Sequence, residues 1–336
     1  MKKNTMILAA MGLTAALCAG SVMSASAEEK KVYNIGICQL VQHDALDAAT
    51  KGFEDALIEL LGEDNVNFDE QNASGDSANC ATIINQFVAS EDDLILANAT
   101  ASLQAASAGT ADIPILGTCV TDYATALEID DWSGTTGKNI SGTSDLAPLS
   151  EQADMLHELF PDAKNVGLLY CSAEANSAYQ VDEIKKYLED LGYTCEYYSF
   201  ADSNDIATVV TNAVSENDVL YVPTDNTAAS NTEVINNIAL PAGIPIIAGE
   251  EGICEGCGVA TLSISYYDLG YKTGEMAYDI LVNGADVSTM EVAFAPQVTK
   301  EYAAERCEEL GIQVPDDYVA IGAQAEETET ETASES

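Results

Sequence analysis

The sequence predicts an α/β protein made of two doubly wound, Rossmann-like lobes with parallel sheets, and three observations support this prediction. Short apolar runs typical of buried strands alternate with amphipathic helical patterns along most of the chain. A strand–loop–helix phrase at residues 32–53 returns in similar form at residues 164–191. About 309 residues remain after a predicted leader of 27, a length that suits two domains. Two similar halves imply a cleft between their facing loops.

The repeat is marked by glycines at matching positions. Gly36 and Gly167 lie in the two strands, 131 residues apart, and Gly62 and Gly192 follow the two helices, 130 residues apart. In the first copy, apolar residues at spacings of three and four predict one buried helical stripe. These residues are Leu46, Ala49, Phe53, Leu57 and Leu60.

The first lobe is expected to continue in the same rhythm. Strands are predicted at 66–70, 93–97 and 113–119, with a helix from Ser77 and an alanine-rich helix after Ser102. Residues 139–148 contain Gly142 and Pro148, and we interpret them as a crossing between the lobes.

The second lobe is predicted from the same kind of pattern. Helices are expected at 150–160, up to 191, and at 203–215, and strands at 166–170, 194–199, 219–222 and 244–248. Residues 259–265 and 292–294 are interpreted as two further crossings, with helices at 267–281 and 300–310. We therefore assign 32–144 and 266–291 to lobe 1, and 145–265 and 292–322 to lobe 2, joined by a hinge of several crossings.

The two ends of the chain are predicted to lie outside the folded lobes. Residues 1–27 have a basic start, an apolar stretch at 6–17 and Ala25-Ser26-Ala27 as a cleavage site, the pattern of an export signal. Lipidation at Cys18 is the alternative, but Leu17 stands where a small residue is expected. The expected location is extracytoplasmic: the periplasm or the outer face of the cell membrane, with membrane association left open. Residues 323–336 form an acidic tail, predicted to be disordered.

Charge excludes several classes of partner. The formal net charge is −44, and removing Lys2 and Lys3 with the leader makes it −46. Nucleic acid and anionic membrane surfaces both need a basic footprint. The single arginine, Arg306, falls in a late helical stretch. An anionic ligand group in the cleft must therefore be held by backbone N–H groups, hydroxyls or lysine.

The cysteines raise the alternatives of a redox site, a zinc site or a structural disulfide. Eight cysteines remain after the leader, and Cys254 and Cys257 form a CxxC motif that we place in a loop. A redox catalyst would place this motif at a helix N-terminus, and a zinc site would need two further ligands. We expect a structural disulfide between Cys254 and Cys257, or a pair kept reduced, and no metal site.

Four phrases carry a resemblance to a known family: QLVQHDALDAATKGF, LLYCSAEANS, YVPTDNTAAS and YYDLGYKTGEMA. The chain resembles the substrate-binding proteins of ABC importers with the type I periplasmic-binding-protein (Venus-flytrap) fold. Within them it is most similar to the subgroup that binds tryptophan, tyrosine or phenylalanine, over roughly residues 32–320. Asp44 is a departure, since the family usually has a proline there; both residues suit a helix start.

The resemblance implies capture of a free amino acid between the lobes. Its carboxylate would be bound at helix N-termini, aided by Thr100, Ser102 and Ser177, and its ammonium by Asp145, Asp225 or Glu250. We expect Tyr123 and Tyr267 to supply aromatic walls. The predicted ligand-binding residues are His43, Asp47, Asn98, Thr100, Ser102, Asp122, Ser144, Asp145, Glu174, Asn176, Ser177, Asp225, Asn226, Glu250, Tyr267 and Asp268.

Three classes of function stay open at this stage. The first is an importer's binding protein for an aromatic amino acid, and the second is the same fold binding a branched-chain amino acid, a nucleoside or a sugar. The third is an enzyme or a redox protein that uses the CxxC motif, which the absence of a catalytic or phosphate-binding motif disfavours. We predict no enzyme activity, no cofactor, an ABC permease as partner, and a monomer.

Overall fold

The computed structural model describes residues 31–322 of the chain. The predicted leader at 1–27 and the tail at 323–336 lie outside the described residues. Two sheets organise the described part, one of six strands and one of seven. The predicted class of two α/β lobes with mostly parallel sheets is confirmed.

The first sheet has the strand order β11-β5-β4-β3-β1-β2, and all of its pairs are parallel. Alternate residues of β3 face opposite sides: Ile95 and Ala97 pack into one apolar cluster, and Leu94 and Leu96 into another. Both faces are therefore covered, as in a doubly wound sheet. The strands are β1 (Tyr33–Gln39), β2 (Val66–Asn72), β3 (Leu94–Asn98), β4 (Ile115–Thr118), β5 (Ile140–Ser144) and β11 (Ala293–Phe294).

The second sheet has the order β13-β12-β10-β9-β8-β6-β7. Its pairs are parallel except for β12 with β10, so β12 and β13 run opposite to the other five strands. Its strands are β6 (Asn165–Cys171), β7 (Thr194–Phe200), β8 (Val219–Val222), β9 (Ile246–Ala248), β10 (Ala260–Ser263), β12 (Thr299–Tyr302) and β13 (Val319–Ala320).

The helices cover the sheets, and α11 packs along α1 in the first lobe. The first four helices are α1 (Asp44–Leu61), α2 (Ser77–Ser90), α3 (Thr100–Gly109) and α4 (Tyr123–Leu127). The next four are α5 (Leu149–Leu159), α6 (Ala175–Asp190), α7 (Ile206–Glu216) and α8 (Asn226–Ala229). The last four are α9 (Thr232–Ala242), α10 (Glu251–Cys257), α11 (Tyr266–Leu281) and α12 (Ala304–Leu310).

The sheet pairing corrects two details of the sequence interpretation. The stretch Ala293–Phe294, placed in lobe 2 from the sequence, pairs with Thr143 and Ser144 of the first sheet. The predicted helix at 300–310 begins only at Ala304, because residues 299–302 form β12. The chain thus passes between the sheets at 145–148, 264–265 and 295–298. The lobe boundaries stay a prediction.

The buried stripe of α1 is one residue shorter than predicted. Phe53 and Leu57 are fully buried, but Leu60 is 41% exposed, because the stripe turns outward at the end of the helix. The glycines of the repeat have a packing reason. A methyl group at Gly36 would lie 2.4 Å from the Phe87 ring, and one at Gly167 would lie 2.6 Å from Leu220. Each glycine lets a neighbouring side chain pack directly on the strand.

The single arginine holds the end of a helix. Arg306 donates from Nη1 to the carbonyl oxygens of Cys254 and Gly258, at 3.0 and 2.6 Å. Its Nη2 donates to Glu255 and Gly256, at 3.0 and 3.1 Å, and its Nε donates to the Asn236 side chain. These carbonyls belong to the C-terminal turn of α10, where unpaired oxygens and the helix dipole favour a cation.

Replacing Arg306 with lysine is expected to lower the free energy of unfolding by about 2–3 kcal/mol, because one ammonium cannot replace the planar fork. Urea unfolding followed by circular dichroism measures this change. Lys272→Ala is the control, since Lys272 makes an exposed pair with Glu275 at 2.9 Å and its loss should cost under about 1 kcal/mol. Equal effects of the two substitutions would contradict the capping role.

Candidate functional site

The carboxyl ends of β3 and β4 carry strained backbone. Ala99 has φ +91° and Cys119 has φ +54°, and both residues are buried. Residues other than glycine seldom adopt positive φ, and such strain concentrates at binding and catalytic sites. This edge of the first sheet also faces the second lobe. Proteins with parallel α/β sheets bind their ligands at this edge, so a site is expected here.

A cluster of four buried side chains lies where the two lobes meet: Cys119, Asp145, Glu250 and Tyr266, here called the central cluster. Asp145 follows β5, Tyr266 begins α11, and Glu250 belongs to the loop after β9. The Asp145 Oδ1 atom and the Tyr266 hydroxyl are buried without a hydrogen-bond partner among the described residues. The Tyr266 hydroxyl lies close enough to the Asp145 carboxylate to lower its pKa, but the two atoms are not in hydrogen-bond geometry, so a ligand group that satisfies both would remove the cost of burying them unpaired.

Burial dominates the acid–base behaviour of the cluster. It raises the pKa of Asp145 to about 6, although the nearby Thr121 and Tyr266 side chains oppose the increase. It raises the pKa of Glu250 to about 7, against two backbone N–H groups that stabilise the charged form. Burial, and then the charges of Asp145 and Glu250, raise the pKa of the Cys119 thiol. The cluster is therefore poised to gain from a cationic ligand group.

A cleft of about 660 Å³ is lined by two members of the central cluster, Glu250 and Tyr266, whereas Asp145 and Cys119 are not among its lining residues. It is bordered by the start of α1, by the loop after β9 with α10, and by the crossings at 263–268 and 295–299. None of the described residues that border it is a lysine or an arginine. Its acidic residues are Asp44, Glu250, Glu251, Glu255, Asp268 and Glu301. The cleft therefore favours a ligand that presents an ammonium group.

A direct hydrogen bond joins the two lobes near this cleft. His43 Nε2 lies 3.2 Å from Asn226 Oδ1. Asn226 in turn donates from Nδ2 to Glu174 Oε2, at 2.7 Å. Burial lowers the pKa of His43, so its imidazole is neutral at neutral pH. All three residues were predicted from the sequence to bind the ligand, and the structure shows them hydrogen-bonded in a chain.

Two other predicted residues brace the loop between β1 and α1. The Asp47 carboxylate accepts from Gln39 Nε2 at 2.6 Å. Asn98 donates to the carbonyl of Leu46 and to Thr50 Oγ1, both at 2.9 Å. The Asp47 bond spans the loop, the Asn98 bonds hold the first turns of α1, and Asn98 Oδ1 is left without a partner among the described residues.

On the second lobe, the side chains of the predicted residues Asn176, Ser177 and Asp225 are hydrogen-bonded to other groups of the same lobe. Asn176 donates to the Thr224 carbonyl at 3.0 Å and to Ser177 Oγ at 3.3 Å. Asp225 accepts from the backbone N–H groups of Cys171 and Ala228. Burial, and then the charge of Glu174, raise the pKa of Asp225 to about 7.

Three predicted residues have local structural partners instead of facing the cleft, and one has none. Ser102 lies in the core of lobe 1, with its hydroxyl 3.6 Å from both the Cys38 and Cys80 sulfurs, so its assignment to the cleft is corrected. Asp122 caps α4 through the Thr125 N–H, and Ser144 donates to the Thr121 carbonyl. Thr100 differs: it is buried at the start of α3, and its Oγ1 has no partner among the described residues.

The two adjacent tyrosines at the start of α11 both border the cleft but have different surroundings. Tyr267 is 37% exposed and donates to Asp55 on α1, whereas Tyr266 is 7% exposed and belongs to the central cluster. Tyr266, Leu269 and Thr273 follow the helical spacing of the buried face of α11, which was the available signal. The adjacent Asp268 is an exposed residue at the border of the cleft. The other proposed wall, Tyr123, is buried and donates to the Thr143 carbonyl.

The CxxC motif lies in helix α10, not in a loop, and the structure has both cysteines as free thiols. Of the two expectations for this pair, the free thiols agree with the reduced one, and Cys257 Sγ donates to the Ile253 carbonyl one turn earlier. Burial raises the pKa of both thiols, that of Cys257 to about 12. Neither is an activated nucleophile.

Neither a metal-binding cluster nor a membrane-spanning helix is present within residues 31–322. No group of three or more His, Cys, Asp or Glu side chains in this part of the chain is arranged to hold a metal ion. No helix in the same range has the length and apolar character needed to span a membrane.

Comparison with known proteins agrees with this geometry. A family model described as ABC transporter substrate binding protein matches residues 34–327. A tyrosine-binding protein of Clostridioides difficile (strain R20291) is 39% identical over 256 residues, 76% of this chain and 74% of that protein.

Two solved structures show the same two-lobed fold. An ABC domain from Streptococcus pneumonia in complex with L-Trp has 33% identity and a TM-score of 0.81, covering 85% of this chain and 97% of that one. A ligand-free, open substrate-binding protein with adhesive properties from Clostridium difficile has 39% identity and a TM-score of 0.66, covering 86% of this chain and 99% of that one. With the family match across the described lobes, this chain belongs to the ABC transporter substrate-binding proteins, with the type I periplasmic-binding-protein fold.

Proposed function

We propose that this protein captures a free aromatic amino acid in the cleft between its lobes and delivers it to the permease of an ABC importer. The observation that carries the proposal is the pair of buried, unpaired polar atoms in the central cluster, Asp145 Oδ1 and the Tyr266 hydroxyl. Relatives that are named for tyrosine binding or were solved with L-Trp support the ligand class.

Asp145 is the acceptor that we assign to the ligand ammonium. Of the three acids proposed from the sequence, Asp225 and Glu250 already accept backbone N–H groups with both carboxylate oxygens. Asp145 has one buried oxygen without a partner among the described residues, and the nearby acids add to the attraction for a cation. A charge-assisted hydrogen bond here contributes about 1.5–3 kcal/mol.

The ligand carboxylate is assigned to the start of α3. This helix begins after Ala99, which offers no side-chain cap, and the buried Thr100 hydroxyl has no partner among the described residues. Free N–H groups and the helix dipole favour an anion there. β3 and β5 are two strand spacings apart, about 9.6 Å. An amino acid with a hydrogen bond of about 2.9 Å at each end can bridge that gap.

The lobes are proposed to be arranged as in a ligand-bound member of the family. The TM-score is higher with the L-Trp complex than with the open, ligand-free protein, although the open protein is more similar in sequence. Type I binding proteins close around their ligand by a hinge motion, and the permease would recognise the closed form.

The remaining parts of the proposal follow from the family. We place the protein outside the cytoplasmic membrane, exported by the leader that the sequence predicts, as a monomer without catalytic activity. Its partners are the small ligand and the permease subunits. A branched-chain amino acid, a nucleoside or a sugar in the same cleft is the alternative.

A thermal-shift panel on the mature protein tests the ligand class. The protein is first unfolded and refolded to remove any bound ligand, then mixed with amino acids, nucleosides and sugars. A ligand at a hundred times its Kd stabilises the fold by about 2.7 kcal/mol. We expect this shift with tryptophan, tyrosine or phenylalanine. A shift only with a sugar or a nucleoside would reject the aromatic ligand while keeping a binding role.

A further inference from the structure

The contact between His43 and Asn226 has a fixed direction. Asn226 Nδ2 donates to Glu174 Oε2 at 2.7 Å, so the opposite atom of the amide, Oδ1, faces His43. His43 must then donate from Nε2, at 3.2 Å. Burial lowers the pKa of His43, which is consistent with a neutral ring that carries its proton on Nε2.

Glu174 holds the acceptor residue, Asn226, in place. Its carboxylate accepts from the backbone N–H groups of Asn226 and Thr227, at 3.0 and 2.9 Å, and from the Thr227 hydroxyl at 2.7 Å. With the Asn226 side chain added, the acceptor sites of Glu174 are occupied. Glu174 is therefore not available to a ligand ammonium, and its effect is to fix the first turn of α8.

The donor residue, His43, is also held in place by its neighbours. His43 is the residue before α1, and its carbonyl accepts the Asp47 N–H at 3.0 Å. The Asp47 carboxylate is itself held by Gln39. Two pre-ordered loops, one from each lobe, thus meet through one side-chain hydrogen bond.

This contact borders a pocket that Glu250 of the central cluster also lines. This pocket, of about 380 Å³, is bordered by His43 together with the exposed Gln42 and Ser230. The unpaired atoms assigned to the ligand belong instead to Thr100, Asp145 and Tyr266. His43 Nε2 and Asn226 Oδ1 are paired with each other, so these two atoms are not available to a ligand.

We propose that His43, Asn226 and Glu174 form a closure latch, which sets ligand affinity by stabilising the closed arrangement of the lobes without touching the ligand. His43 and Asn226 are then positioning residues. An interaction made only in the closed state shifts the open–closed equilibrium towards closure, and so tightens apparent affinity and slows ligand release. The affinity part of this inference rests on the proposed function, whereas the closure part does not.

The first test needs no ligand and measures lobe closure by small-angle X-ray scattering. His43→Ala and Asn226→Ala are each compared with the wild type and with the control Asn67→Ala, whose exposed side chain donates to Asn34 on the neighbouring strand β1. We expect a larger radius of gyration for the two alanine variants and no change for the control. Identical scattering of wild type and both alanine variants would overturn the latch.

The second test measures binding of L-tyrosine and L-tryptophan by a double-mutant cycle. We expect each alanine variant to raise Kd about five-fold, chiefly through faster release, as the loss of one hydrogen bond predicts. The double variant should also lose only about five-fold, because both changes remove the same bond. His43→Gln, which keeps an N–H donor, should recover part of the loss.

The outcomes separate the latch from the proposed function. Additive losses in the double variant, with closure unchanged, would show that each residue contacts the ligand independently, and the latch would be rejected. A wild type that closes through the latch but binds no aromatic amino acid would reject the ligand class and leave the latch standing.

Discussion

Replacing Asp145 with asparagine is expected to weaken binding of an aromatic amino acid by about 10- to 100-fold. The substitution keeps the size of the side chain but removes the charge that we assign to the ligand ammonium. The loss of one charge-assisted hydrogen bond, about 1.5–3 kcal/mol, corresponds to this range. Calorimetric titration of wild type and variant measures the change in Kd.

Two controls make this result specific. Asp122→Asn removes a carboxylate whose oxygen caps the short helix α4 through the Thr125 N–H, and it should leave Kd within about two-fold. Asp145→Asn should not reduce thermal stability, because a buried carboxyl with a raised pKa is already costly to ionise. An unchanged Kd for Asp145→Asn would move the ammonium site elsewhere in the cleft.

Affinity is expected to fall as the pH is lowered through 6. The ammonium needs the ionised form of Asp145, whose pKa in the ligand-free protein is raised to about 6 by burial. Below that value the carboxyl must lose a proton before the ligand binds, so Kd should rise about ten-fold per pH unit. The ligand's own ammonium and carboxylate keep their charges between pH 5 and 7.

The ionisation of neighbouring groups also affects how Kd depends on pH. Glu250 has a pKa of about 7, and its ionisation also favours a cation nearby. The pKa values of Tyr266 and Cys119 are raised, so both stay neutral in this range. We therefore expect a nearly constant Kd above pH 7.5 and about a ten-fold rise by pH 5. Asp145→Asn should flatten most of this slope, and a wild-type profile without a slope would contradict the assignment.

Much of the fold could be predicted from periodicity because both sheets are buried on two faces. The strand Val219–Val222 was predicted with its observed bounds, and the glycine repeat correctly matched β1 to β6. Short elements were missed: α10 contains two glycines and only one turn of apolar spacing, so it was interpreted as a loop. β12 was taken for the start of a helix because it is only half-buried and carries no alternating pattern.

The site was predicted less completely than the fold. Strand ends indicated loops that lie between the lobes, as His43 and Asn226 show by their hydrogen bond; which of these loops bind a ligand stays a prediction. Sequence could not show which polar groups are already satisfied. Asp225 and Ser177 have the same chemistry as the proposed ligand contacts, but local hydrogen bonds occupy Asp225 and burial encloses Ser177. Those partners are set by tertiary packing, which no local pattern encodes.

Isothermal titration of the refolded mature protein tests the central claim most directly. L-tyrosine, L-tryptophan and L-phenylalanine are titrated in turn, with L-leucine and glucose as comparison ligands. A handful of charge-assisted hydrogen bonds gives a Kd in the micromolar range, about −8 kcal/mol. We predict that at least one aromatic amino acid binds with this affinity at one site per chain, and that leucine and glucose release no binding heat. Tight binding of leucine or glucose, with none of the three aromatic amino acids bound, would contradict the account.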